Sequence, residues 1–87
     1  MAVAAQTSVT TEATLIVAGV PNETRQLILH GSDDIYIGGS SAVTTSNGFL
    51  LEKAKSDHLE LILHPNEEVW GIVASTTRTA YSFITEL

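Results

Sequence analysis

Three histidines, ten carboxylates and one glycine–serine run are the parts of this 87-residue chain that could do chemistry. The run lies at the middle of "IYIGGSSAVTTSNGF", Ile35 to Phe49. Gly38-Gly39-Ser40-Ser41-Ala42 invites comparison with a nucleophile elbow. That motif needs a sharp strand-to-helix turn and an acid and a histidine further along. No helical pattern follows here, because Thr44-Thr45 continues β-like. A hydrolase using Ser40 or Ser41 is therefore a distant reading. A phosphate cradle lacks its Gly-Lys-Ser/Thr. The glycines read as conformational, either taking φ > 0 or letting backbone and neighbour approach closely where a strand bends.

His58 and His64 flank a strand with Glu60 between them, and their six-residue span is roughly 20 Å, too far for one ion. Only His58 and Glu60 could share a metal, with a third ligand such as His30 brought from another strand. Zinc needs three or four converging ligands, so solvated histidines are the reading and no metal or cofactor is expected. Asp33-Asp34 and Glu67-Glu68 are adjacent in turns, where neighbouring side chains point apart. They read as turn caps rather than as an acid–base dyad. Asn22-Glu23-Thr24 matches a glycosylation sequon, a short pattern that arises often by chance. The residues assemble no catalytic constellation, and the expectation is a protein that is not an enzyme.

The elements that would position these groups are strands. Threonine, valine and isoleucine make up 25 of the 87 residues. Such side chains are stiff at χ1 and pack well on a pleated surface. Thr14–Val20, Thr24–His30, Ile35–Ile37, Leu50–Leu51, Leu59–Leu63, Val69–Ala74 and Thr79–Thr85 read as short strands. The last two look like a hairpin around Ser75-Thr76-Thr77-Arg78. Pro21-Asn22, Gly31-Ser32-Asp33, Asn47-Gly48 and His64-Pro65-Asn66-Glu67 are turn signals. The expected fold is a small antiparallel β-sandwich or barrel of six to eight strands. Residues 1–11 are small and weakly patterned and read as an extended N-terminal arm, with residues 12–87 as a single β domain.

Composition narrows the partners. Ten acidic residues against four basic ones give a formal charge of −6, which repels phosphate backbones and anionic head groups. Neither nucleic acid nor membrane is expected as a partner. The opening residues show no basic, long apolar leader. With no cysteine, disulfides and thiolate metal sites are excluded. A small domain without staples commonly gains its margin by oligomerising. Several strands are apolar on both faces, notably Leu27-Ile28-Leu29, Ile35-Tyr36-Ile37 and Val69 to Val73. Loops could cover the excess, or it could be an intersubunit interface. On the second reading Trp70, Tyr36, Tyr81 and Phe83 are the natural anchors, with Ile28 and Ile72 beside them.

The order of segments carries a resemblance. Arg25 stands two residues before the apolar pair Leu27 and Leu29. Then come "IYIGGSSAVTTSNGFLL", a hydrophilic stretch, a leucine-rich strand, the turn His64-Pro65-Asn66-Glu67-Glu68, "VWGIVAS" and a closing strand. From Thr14 to Leu87 this resembles the small all-β decoration or cement proteins on the heads of tailed bacteriophages. It departs from their pattern at Leu50, where a proline commonly follows Asn-Gly-Phe, and at Glu52-Lys53-Ala54-Lys55, where a Pro-Gly turn comes. The resemblance implies a structural virion protein that binds the major capsid protein on the outside of the head as a homotrimer and is made in the host cytoplasm. Related-looking domains occur in tail and fibre proteins, so a module recognising a host glycan or receptor is the alternative.

Overall fold

A computed structural model describes residues 2–87 as two four-stranded antiparallel sheets packed face to face. The strands are β1 (Ala2–Val9), β2 (Thr14–Val17), β3 (Arg25–Gly31), β4 (Ile35–Gly38), β5 (Phe49–Leu51), β6 (Leu59–Leu63), β7 (Val69–Ile72) and β8 (Arg78–Glu86). A single 3-10 turn, Lys53–Lys55, stands between β5 and β6. The first sheet runs β1-β8-β3-β6 and the second β2-β7-β4-β5. Of the all-β sandwich or barrel expected, the chain forms the sandwich, and its strand order is that of an eight-stranded jelly roll.

Period-two alternation builds the core. In β3, Arg25, Leu27, Leu29 and Gly31 are buried while Gln26, Ile28 and His30 are exposed. Leu27 and Leu29 are fully buried and meet Ile35, Ile37, Leu51 and Val69 from the second sheet. Removing such side chains from water contributes roughly 1.5–3 kcal/mol each. A register shift between Leu15 and Val17 lets both Ile16 and Val17 pack on this core.

Four expectations differ from the structure. Residues 2–9, read as part of an arm, form β1 at the edge of the first sheet, paired with β8 from Ala2↔Thr85 to Val9↔Arg78. Met1 lies outside the described residues. No alternation marked this segment because nearly all of it is exposed on both faces, and only Val9 is buried. The expected final hairpin does not form, since β7 and β8 belong to opposite sheets. Val73 leaves the β7 ladder and gives its N–H to the Thr10 carbonyl at 3.0 Å. Likewise β2 stops at Val17 rather than Val20, and the next carbonyl, of Ala18, accepts a hydrogen bond from the Arg25 guanidinium at 3.1 Å.

Gly38 needs its lack of a side chain for space rather than for backbone freedom. Among the described residues no glycine has a positive φ. A Cβ on Gly38 would lie 2.7 Å from Val43 Cβ and Cγ2, and Val43 is a buried residue of the loop that follows. The left-handed positions are Asn22, Ser56 and Asn66. At Asn66 the turn closes with the Glu67 N–H on the His64 carbonyl at 3.1 Å. Asparagine in a left-handed position after proline is what such a turn asks for.

Candidate interaction surfaces

The residues with chemistry are held apart. In the glycine–serine loop, Ser40 Oγ accepts the Ala42 N–H at 3.2 Å, and Asn47 Oδ1 accepts the Thr44 N–H at 2.7 Å. Thr44 Oγ1 in turn accepts the Asn47 N–H at 3.2 Å. The loop thus satisfies its own backbone. The recess beside it, lined by Gly38, Gly39, Ser40, Ala42, Val43 and Asn47, contains no acid, base or cation.

A cleft of about 350 Å³ between β3, the β3–β4 turn and the 52–58 loop includes His30, Asp33, Lys53, Asp57 and His58 in its walls. Three of its polar side chains have partners within the chain. Asp33 pairs with Arg78 at 3.1 Å, and Asp57 Oδ2 accepts the Glu52 N–H at 3.0 Å. His58 Nε2 lies 3.4 Å from Glu60 Oε1. Among the described residues no three histidine, aspartate or glutamate side chains are placed to hold a metal ion. Glu67, from the second acidic pair, caps its own turn by accepting the His64 N–H at 2.6 Å.

The six apolar candidates divide evenly between the two outer faces. On the first sheet Ile28 lies directly across from Phe83, and His30 across from Tyr81. Ile28 is 38% and Phe83 46% exposed. The His30 and Tyr81 rings stack with centroids 5.0 Å apart, a favourable aromatic separation. These four side chains and Ser82 line an apolar hollow of about 260 Å³. On the second sheet Tyr36 faces Ile72 on one side and Leu50 on the other. Trp70 faces Gly38 and Leu15. The Trp70 indole N–H donates to Glu68 Oε1 at 3.2 Å, which leaves its ring half-buried on the sheet.

Periodicity placed Trp70 with Ile72 and Tyr81 with Phe83, but it could not say which strands lie alongside. Leu15, across from Trp70, and His30, across from Tyr81, therefore went unnoticed as neighbours of the candidates. Their signal was present, since apolar residues at outward positions of strands are visible once register is known.

No family model matches the chain, and no curated protein matches it. Among solved structures the fold is similar to that of a Bacillus endospore appendage, described as a novel family of disulfide-linked pili. The TM-score is 0.60 at 11% identity, over 100% of this chain and 86% of that chain. At that identity the likeness is one of fold.

Proposed function

We propose that the protein is a non-catalytic structural protein of a tailed-phage virion, a decoration protein that coats the outside of the head as a trimer and stabilises the shell. One observation carries this reading: apolar side chains stand outward on both sheets, Ile28, Tyr81 and Phe83 on one face and Leu15, Tyr36, Trp70 and Ile72 on the other. A two-faced subunit can hold its own copies with one side and the major capsid protein with the other. Subunits joined in a trimer dock at high effective concentration, so modest contacts suffice. The acidic surface suits a virion exterior because it disfavours adhesion to nucleic acid. Jelly rolls are common in viral capsid proteins, a fold-level analogy that supports the reading without deciding it. The test is to mix the purified protein with undecorated heads and follow rupture by heat or low salt. Binding with delayed rupture is expected; no binding and no change in rupture would overturn the proposal.

The hollow beside the His30–Tyr81 stack favours a second reading, a tail- or fibre-associated module that recognises a host glycan. Jelly rolls also serve as lectin domains, and an aromatic wall is suited to a sugar face. Binding to a glycan array that is lost in Tyr81→Ala, with no affinity for heads, would favour this reading over the first. The similar appendage fold is that of a pilus described as disulfide-linked. This chain has no cysteine, so these residues cannot link its own copies by disulfides.

A further inference from the structure

The two edges of the first sheet are complementary to each other. Residues directly opposite one another across this sheet form rows. One inner row runs Val3–Ile84–Leu27–Leu61. Its centre is sealed, with Leu27 at 0% exposure, while its two ends are open, Val3 at 54% and Leu61 at 40%. An apolar row with a buried middle and bare ends is what a longer sheet looks like when it is cut on both sides.

The strands at those ends can pair. Exposed edges are normally blunted by charge, proline, bulges or shortness. In the second sheet β2 has four residues and a register shift, and β5 has three residues. In the first sheet β1 has eight residues, AVAAQTSV, with no charge and no proline. The opposite edge, β6, carries a single charge, Glu60. Every neighbouring pair in β1-β8-β3-β6 is antiparallel. Three successive reversals make β1 and β6 run in opposite senses, so β1 of one copy can join β6 of the next in an antiparallel ladder. Two β6 edges meeting each other would bring Glu60 near Glu60, whereas β1 offers Glu60 no like charge.

We infer that copies of this chain associate head to tail, β1 of one copy adding to the β6 edge of its neighbour with Val3 opposite Leu61. That register also sets Ile62 across from Ala2 and Leu59 across from Ala5, so inner residues continue the inner face and outer ones the outer face. The contact is heterologous, and it closes into a ring or runs on as a filament according to its rotation. The inference deepens the trimer of the proposed function and rests on that reading only for the ring size.

The cysteine-free chain offers a clean test. Directly opposed residues in an antiparallel ladder have Cα atoms about 4.5–5.5 Å apart, inside the disulfide range. Val3→Cys and Leu61→Cys are prepared separately, both at exposed positions, and their fold is checked by circular dichroism. Each variant alone and their equimolar mixture are then exposed to oxidised glutathione, which takes the electrons of the two thiols. A disulfide-linked pair in the mixture, and in neither variant alone at matched concentration, is the expected result. Cross-linking of Val3→Cys with itself would overturn the inference in favour of a two-fold β1–β1 pairing. A wild-type chain that light scattering finds monomeric at the concentration of the cross-linking, with no disulfide in the mixture, would overturn it outright. Light scattering of the wild type also separates the two proposals: a filament keeps this contact and removes the trimer, while failure to bind heads leaves the cross-link untouched.

Discussion

At the scale of single residues, Arg25 changes meaning between sequence and structure. By sequence it is one landmark of a resemblance; in the fold it is a buried pin, 6% exposed. Its guanidinium donates to the Ala18 carbonyl at 3.1 Å and the Glu67 carbonyl at 3.5 Å, tying two turns to the end of β3. Its Nε is buried without a partner. Replacing it strands the Ala18 carbonyl, and hydrogen bonds from charged donors are worth about 1.5–3 kcal/mol. Arg25→Met keeps the packing of the stem and is expected to lose about that much in urea denaturation; Arg25→Ala loses more. Glu23 shows the opposite case of a half-buried acid held off its ordinary behaviour. Its hydrogen bond with the Glu86 carboxyl, then burial and the charge of Glu86, raise its pKa, against a smaller lowering by Arg25. Between the ordinary carboxylate value and the raised one, the folded chain therefore binds more of this proton than the unfolded chain does. Stability from this pair is present at low pH and falls as pH rises from the ordinary carboxylate value through the raised one. Glu23→Gln is expected to raise the melting temperature slightly at pH 7 and to lose that advantage at pH 4, as scanning calorimetry can check.

At the scale of elements, β7 has no spare room at Gly71. A Cβ on Gly71 would lie 2.6 Å from Ile16 Cδ1 and 3.3 Å from Ile35 Cγ2. Gly71→Ala must push the Ile16 δ-methyl aside and crowd Ile35 Cγ2, and is expected to cost about 1–3 kcal/mol, the usual range for overpacking. Gly38→Ala meets the branched Val43 and should cost a similar amount, whereas Gly39→Ala, with nothing within 4 Å, should be close to neutral. Comparing the three by chemical denaturation tests whether spacing, rather than backbone freedom, explains the Gly-Gly pair. Strands with a clear alternation were legible in sequence: β3 and β4 from the interior of the sheets and β6 at an edge read correctly to within a residue or two. The edge strand β1 was not legible. β1 is exposed on both faces, so nothing selects a period there, and the ends of β2 and β7 are set by hydrogen bonds from distant residues, Arg25 and Thr10.

At the scale of the whole molecule, sequence order and spatial order diverge. Successive strands change sheet at every connection except β4–β5, so nearly all pairing joins residues distant in the chain. This is why the apparent β7–β8 hairpin misled, and why six candidate contact residues could be named without knowing that they sit on two opposite faces. It also sets the kinetics. Folds dominated by non-local pairing cross their barrier in milliseconds to seconds, so a single slow refolding phase is expected in stopped-flow fluorescence of Trp70. A microsecond phase accounting for most of the amplitude would contradict this topology.

The pairing of Ala2 with Thr85 has a mechanical consequence. It seats the beginning and the end of the described chain side by side at one end of two neighbouring antiparallel strands. Tension applied between those points would open the β1–β8 ladder one bond at a time, like a zipper, rather than shear all its bonds together. The sandwich is therefore weak when pulled by its ends. A subunit that must resist strain has to receive the load elsewhere, while any polypeptide attached before Ala2 or after Thr85 leaves from the same corner.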